Sequence, residues 1–441
     1  MTTTSHQSAI ERYQTLTPGS QQLFEAARTI VSGGVSRGTL AFQPYPFYAS
    51  EASGAIVTDV DGNEYLDLVN NYTSLPHGHG HRPTNRAFKQ ELTASSAIGT
   101  AHPLEAEYAH DLSDRYRSLE RLHFTTTGSE AAAFALRVAR ANSGRHRVLK
   151  FEGGFHGSHN ELYQDINVLP ALAPGTSAPS RPASAGLEPT STITAVYNDP
   201  AAVADAFSSW GGEIAAVIVE PFLGNGSLVT ARRDFLDAIF EQAHRAGALV
   251  VFDEIQSLRA GYSGASGEWG YRPDLMAIGK IMGGGFALAA FGGRADLFEV
   301  LHSGPDPVQQ TGTFTAAPPV LAAGRASMAA LTPSVFEEVS NRTDRLREGL
   351  RREARDRGVA VHVNGVGSMF NVAFTDEPVE SYRAHRAADP GMLNEVRLHM
   401  VNHGVVIMPR GTGCLSTPTT DDDVERIIET FGLAISRVRN G

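Results

Sequence analysis

Lysine is almost missing from this chain. Of the 37 lysines and arginines in its 441 residues, three are lysine: Lys89, Lys150 and Lys280. Cysteine is rarer still. Cys414 stands alone, which excludes an internal disulfide and any cysteine-based zinc site. No apolar run approaches the ~20 residues that a membrane helix needs. The opening Met1-Thr2-Thr3-Thr4-Ser5-His6-Gln7 is polar and has no signal-peptide core, so a cytoplasmic chain with no membrane partner is expected. The net charge is −11 and no basic block stands against it, so no nucleic-acid partner is expected either. Repeats and low-complexity tracts are also absent.

What is present reads as an enzyme-like α/β chain. Hydrophobic residues at 41% and charged residues at 19% fit an ordinary folded protein, and the length allows two or three domains. Residues 20–29 read as helix and 31–48 as a Gly/Pro-rich loop. Two β-rich runs between Ala55 and Val69 flank Asp59-Val60-Asp61-Gly62-Asn63, a hairpin signal because Asp-Gly tolerates positive φ. Helical spacing follows over 104–119. From there strands at 122–124, 148–151, 193–197, 214–219, 248–252, 275–278 and 287–291 are interleaved with helices at 129–141, 199–207 and 235–246. Such alternation predicts a mainly parallel sheet with helices on both faces. The Pro/Ala/Ser-rich stretch 169–190 reads as a long surface excursion, and 320–331 as a helix. The expected organisation is an N-terminal segment 1–75, a large domain 76–333 and a small α+β domain 334–441. The last helix is entered at Thr420-Asp421-Asp422-Asp423, a cap with acidic residues in the first turn.

One lysine sits in a phrase that reads as chemistry. Asp253-Glu254 closes the apolar run Ala248–Phe252, and 27 residues on, Lys280 lies between Ile278-Gly279 and Ile281-Met282-Gly283-Gly284-Gly285. A lysine amine depressed by burial becomes nucleophilic and can hold a carbonyl cofactor as an imine, whereas a guanidinium stays protonated. A compositional bias towards arginine would make Lys280 a mere survivor, but its apolar, glycine-rich neighbours favour chemistry. Asp253, at a strand's C-terminal end, stands where parallel sheets place ligands. Thr125-Thr126-Thr127-Gly128-Ser129-Glu130 joins a strand to an alanine-rich helix and offers a phosphate site, though an ordinary helix cap reads the same. Gly153-Gly154-Phe155-His156-Gly157 could let a flat ring stack, and Thr311-Gly312-Thr313 is a hydroxyl-rich turn. Alternating spacing would place His77, His79 and His81 on one side of a strand or loop, but metal ligation needs a second shell and further ligands, and no metal is assigned.

In this order the phrases resemble the pyridoxal-5′-phosphate (PLP) aminotransferases of class III, fold type I, over nearly the whole chain from about Val31. The residues that carry the resemblance are Val251-Phe252-Asp253-Glu254-Ile255-Gln256, Gly279-Lys280 with its glycines, Thr313, the run from Phe151 to Gly157, and Gly78-His79-Gly80-His81. The resemblance implies that Lys280 carries the cofactor as an imine and later moves the proton. It also implies that Asp253 pairs with the ring nitrogen. By the same resemblance Gly128 and Ser129 bind the phosphate, Phe155 stacks on the ring, and Gln256 lies beside the ring oxygen. Thr313 would reach the phosphate of a neighbouring subunit, so a homodimer is implied. Glu220-Pro221, which closes Val217-Ile218-Val219, reads as a structural element at the sheet end.

Two branches of the family compete. Gly33-Gly34-Val35-Ser36, the Phe-Glu-Gly-Gly-Phe-His-Gly run and Gly292-Gly293-Arg294 look like the glutamate-1-semialdehyde aminomutases. Those enzymes carry an arginine just before an Ala-Phe pair, where this chain has Leu40 before Ala41-Phe42. Arg37 and Pro409-Arg410-Gly411 instead resemble the aromatic β-amino acid (β-phenylalanine) aminotransferases, with Asn71 in the pocket wall. The implied reaction moves the amine of a β-amino acid with an aromatic or apolar side chain to a keto acid acceptor, 2-oxoglutarate or pyruvate. An aminomutase is the alternative.

Overall fold

The computed structural model describes residues 4–38, 42–165, 172–181, 191–303 and 307–440. Leu40, on which the comparison of branches turned, lies outside the described residues, as does most of the 169–190 stretch. The chain divides into two compact units. The larger comprises 82–336 and, unannounced by the sequence, the short return segment Glu380–Arg386. The smaller comprises 1–81, 337–379 and 387–441.

An eight-stranded sheet forms the larger unit. Its strands, in chain order, are β1 (Arg121–Thr125), β2 (Arg147–Phe151), β3 (Ser177–Pro179), β4 (Thr192–Ala195), β5 (Ile214–Val219), β6 (Leu249–Asp253), β7 (Leu275–Ile278) and β8 (Ala289–Gly293). They lie side by side as β1-β8-β7-β6-β5-β2-β4-β3. The five strands from β7 to β4 are parallel, while β8 runs antiparallel to both β7 and β1, and β3 antiparallel to β4. The strand expected at 287–291 thus begins two residues later, as β8. The excursion needs a correction: its described part, 172–181, contains the edge strand β3, which its Pro/Ala/Ser composition does not advertise.

Burial on both faces explains the near-continuous apolar strands. In β7 the alternation is direct. Leu275 and Ala277 pack under helix Gly128–Ser143 with Ala131, Ala135 and Leu136, whereas Met276 and Ile278 face the opposite layer with Tyr108, Leu112 and Leu321. Gly144, in the left-handed region at φ 68°, ends helix Gly128–Ser143.

The smaller unit contains the expected hairpin. Ile56–Asp59 pairs antiparallel with Glu64–Asp67, and the Asp59 Oδ1 accepts from the amides of Asp61 and Asn63 at 2.9 and 2.8 Å. Val405–Val406 adds alongside Glu64–Asp67 in parallel. A second sheet, His362–Val366, Met369–Ala373 and Thr412–Cys414, covers a core that includes Leu346, Leu350, Phe370, Ile427 and Phe431. Thr420 and Asp423 cap helix Asp421–Asn440 reciprocally, since each side chain accepts from the other's amide (2.8 and 3.1 Å). Among the described residues no helix is long and apolar enough to cross a membrane.

Candidate active site

Strand β6 ends on two buried carboxylates with different fates. Glu254 is taken up by its own surroundings: its oxygens accept from the amides of Ala265 and Ser266 (2.9 and 2.7 Å) and from the Ser257 hydroxyl (2.8 Å). Burial raises its pKa, and these bonds oppose the rise. Asp253 instead turns one oxygen to the amide of Ile255 (3.1 Å) and the other to Nδ1 of His156 (2.8 Å). His156 is buried, and burial lowers its pKa although Asp253 opposes the shift. The imidazole thereby orients the carboxylate, a role that sequence reading did not assign to it.

Lys280 follows β7 after one extended glycine. Its backbone lies in the left-handed region at φ 49°, a conformation uncommon outside glycine and costly for a long side chain. Desolvation lowers the pKa of the Lys280 amine. Asp253 and Glu220 pull the other way, and Arg259 adds to the lowering. Glu220 closes this electrostatic group. It is buried at the end of β5, where its oxygens accept from the amides of Phe155 (2.8 Å) and Gly224 (3.1 Å). Burial and the charge of Asp253 push its pKa well up from the ordinary carboxylate range. Glu220 is therefore a fixed post for the Phe155 loop and also a carboxyl group that interacts with Asp253 and Lys280.

The helix start at Gly128 is built by a capping box. The Thr127 hydroxyl accepts from the amide of Glu130 (3.2 Å), and the Glu130 carboxylate accepts from the amides of Thr126 and Thr127 (2.9 and 2.8 Å). The first-turn amides of Gly128 and Ser129 have no partner within the helix, which is the arrangement that binds anions. Two close approaches tie this end to the rest. A side chain at Gly128 would come within 2.5 Å of Ile255, next to Asp253, and one at Gly157 within 2.6 Å of the Ser129 hydroxyl. Phe155, two residues before Gly157, is 39% exposed. The half-buried Gln256 reaches Gly224, where any Cβ would lie 1.9 Å from its amide oxygen. Lys280, Asp253, Gly128, Ser129, Phe155 and Gln256 thus belong to one unit. Thr313 is in that unit too, on an exposed turn beside Phe314, itself 72% exposed.

The return segment Glu380–Arg386 secures the same loop. Tyr382 fills the space beside Gly153 and Gly226, Arg383 grips the buried Glu152 through two bonds (3.0 and 2.6 Å), and Ser227 meets Nδ1 of His385 at 2.7 Å.

Arg37, Asn71 and Arg410 lie in the smaller unit. Arg37 is exposed, and its Nη1 donates to the Asn71 Oδ1 at 2.6 Å. Asn71 belongs to an unusual turn. Asn70, Asn71, Tyr72 and Thr73 all have positive φ (46°, 48°, 55° and 70°), one turn of left-handed backbone without a glycine. Such residues cost roughly 1–2 kcal/mol each, and strain of this kind gathers at functional sites. The carbonyl of Arg410 accepts from Asn371 at 2.7 Å, ahead of the left-handed Gly411. The three histidines do not share one side. His77 and His81 stack at 4.1 Å, whereas His79 turns to Asp67 at 2.8 Å, because a loop rather than a strand carries them. Among the described residues no three His, Cys, Asp or Glu side chains are grouped so as to hold a metal.

A lysine with a depressed amine, an oriented buried carboxylate and two first-turn amides now stand in one unit. The family model for aminotransferase class III matches residues 40–435. The chain is a class-III aminotransferase. The aminotransferase is 35% identical to a glutamate-1-semialdehyde 2,1-aminomutase 2 from Bacillus pumilus, with 95% of this chain and 98% of the relative covered. Among solved structures it is similar to an omega-transaminase from Sphaerobacter thermophilus (TM-score 0.92, 33% identity, 95% of this chain and 98% of that one). It is also similar to a beta-phenylalanine aminotransferase from Variovorax paradoxus (TM-score 0.91, 31% identity, 98% of this chain and 97% of that one). The enzyme is PLP-dependent, and its fold is that of the type I PLP aminotransferases. The residues present fit that group: the helix start suits a phosphate, Asp253 a ring nitrogen and Lys280 an aldehyde.

Proposed function

We propose that this aminotransferase moves the amine of a β-amino acid with an aromatic or apolar side chain to 2-oxoglutarate or pyruvate, as a homodimer. The observation that carries the reading is Arg37, exposed at the surface of its unit and oriented by Asn71 on a strained left-handed turn. The likeness to a beta-phenylalanine aminotransferase supports it. A β-amino acid holds its carboxylate one carbon further from the amine than an α-amino acid does, so the guanidinium that binds it must stand away from the reacting carbon. An early loop can deliver one.

The chain's residues divide the work as follows. Gly128 and Ser129 would hold the cofactor's phosphate, with Thr313 completing the site of the second copy. Phe155 would stack on the ring, Gln256 would lie beside its oxygen, and Asp253 would keep its nitrogen protonated. PLP, when bound, supplies an electron sink for the substrate carbon. Lys280 anchors the cofactor and then carries a proton on Nζ, a task suited to an amine whose pKa is lowered. Arg37, with Asn71, binds the donor carboxylate, and Arg410 binds a carboxylate of the acceptor.

A charge-assisted contact contributes roughly 1.5–3 kcal/mol, or about one to two decades in turnover efficiency. Arg37→Ala is therefore expected to slow single turnover of 3-amino-3-phenylpropanoate by that factor and the acceptor half-reaction by less. Arg410→Ala should reverse the order. The likeness to an aminomutase favours a second reading, in which an amino-aldehyde isomerises without any keto acid. No conversion of 3-amino-3-phenylpropanoate, together with rapid conversion of such an aldehyde, would refute the β-amino acid reading.

A further inference from the structure

The segment Glu380–Arg386 belongs to the larger unit although its sequence neighbours on both sides belong to the smaller. Within the larger unit it lies across two loops that leave the C-terminal ends of the parallel strands β2 and β5, the edge where such sheets bind ligands. The loop after β2 carries Glu152, Gly153, Phe155 and His156, and the loop after β5 carries Glu220, Gly226 and Ser227. The buried ring of Tyr382 serves both, since a Cβ at Gly153 or at Gly226 would press on it. Asn198 Nδ2 donates to the Glu380 carbonyl at 3.4 Å, and Nδ1 of His385 meets the Ser227 hydroxyl at 2.7 Å. Arg383 makes the strongest attachment. Its Nε and Nη2 donate to the two oxygens of Glu152 at 3.0 and 2.6 Å, and Nη2 donates also to the Leu172 carbonyl at 2.7 Å.

Glu152 is 1% exposed, and a carboxylate at that depth gains little net stability from its partner, because desolvation offsets much of the attraction. A two-pronged pair does fix direction. Direction is what the following residues lack, since Gly153 and Gly154 restrain the chain least of all residue types. Immediately beyond them come Phe155, whose amide donates to Glu220 at 2.8 Å, and His156, whose Nδ1 meets Asp253 at 2.8 Å. We propose that Arg383 is a positioning residue for the cofactor: through Glu152 it aims the Gly-Gly loop that presents Phe155 to the ring and His156 to Asp253. The inference rests on the cofactor roles given above to Phe155 and Asp253.

The test is titration of the full-length apoprotein with PLP. Glu152→Gln/Arg383→Met removes both charges, so that no buried carboxylate is left unpaired. This double variant is expected to bind PLP about 10–100-fold more weakly than the wild type, and the rise in melting temperature on adding PLP should shrink with it. Arg383→Lys should fall between, because an ammonium keeps the charge and loses the fork. Unchanged PLP affinity, with melting temperatures lowered equally with and without PLP, would reduce the pair to a structural tie and overturn the inference. A second readout asks whether the pair acts through the loop. Phe155→Ala should weaken PLP binding by a larger factor in the wild type than in the double variant, since residues that act as one unit are not additive. An equal factor in both backgrounds would overturn the inference as well. If the double variant does not fold, Arg383→Lys is read by the same two measurements. Failure of the cofactor roles looks different: Phe155→Ala and His156→Leu would then bind PLP as tightly as the wild type, and the inference would fall with them.

Discussion

Lys150 and Lys280 are near twins in electrostatics and differ in where the sheet places them. Both belong to the larger unit, burial lowers the pKa of both amines, and Glu220 acts on both. Lys150 stands inside β2 with no exposed surface, and its amine donates to the carbonyl oxygens of Leu162 (3.1 Å) and Gln164 (2.6 Å). Lys280 stands beyond the end of its strand, in left-handed backbone, facing Asp253 and Glu220. A depressed amine is thus no mark of a nucleophile. What separates them is where the strand stops. A lysine within a strand spends its donors on the next layer of main chain, and a lysine past the strand's end meets the ligand edge of the sheet.

That comparison can be broken. Borohydride reduction of the holoenzyme should fix the cofactor to Lys280, and peptide mapping that finds it on Lys150 would end the argument. Lys280→Ala is expected to lose about four decades or more of half-reaction rate while still binding PLP through its other contacts. Asp253→Asn comes next, with a loss of about two to four decades and the Lys280 label retained. His156→Leu, which removes only the orienting partner, should cost less than Asp253→Asn; an equal loss would mean that the imidazole does more than position the carboxylate.

The smallest effect sharpens the contrast most. Lys150→Met should leave the half-reaction rate nearly unchanged and alter stability against pH. The Lys150 amine lies at about 8 in the folded chain against an ordinary 10.5. Between those values the unfolded chain binds the extra proton, so wild-type stability should gain from this group as pH rises through the window. Urea melts at pH 8 and pH 10 measure it. The gain should shrink in Lys150→Met, and an unchanged gain would show that the buried amine titrates as it does in water.

The sequence was most legible where one short stretch carried both structure and chemistry. The apolar run into Asp253 and the glycines around Lys280 marked two strand ends, one carrying a buried carboxylate and the other followed by a desolvated amine. It was least legible where a contact spans the chain. His156 meets Asp253 across 97 positions, and Glu220, read as a structural post, also faces Asp253 and Lys280. Neither link leaves a local signal. Helix Thr4–Leu16 passed unnoticed because its sequence is mostly polar, although Ala9 and Tyr13 are buried. The left-handed turn Asn70–Thr73 was invisible for the opposite reason: no glycine marks it, and asparagine there reads as an ordinary loop residue.

The Glu380–Arg386 segment also places the larger unit in time. Arg383 meets Glu152 across 231 positions, and a ribosome adding about 5–20 residues per second needs roughly 10–50 s to cover that stretch. Until then the carboxylate of Glu152 lacks its guanidinium and the hollow beside Gly153 lacks Tyr382. The loop bearing Phe155 and His156 is therefore locked only after that stretch has been made. The contacts that hold Gly153 and Glu152 thus form only once residues 382 and 383 have been made.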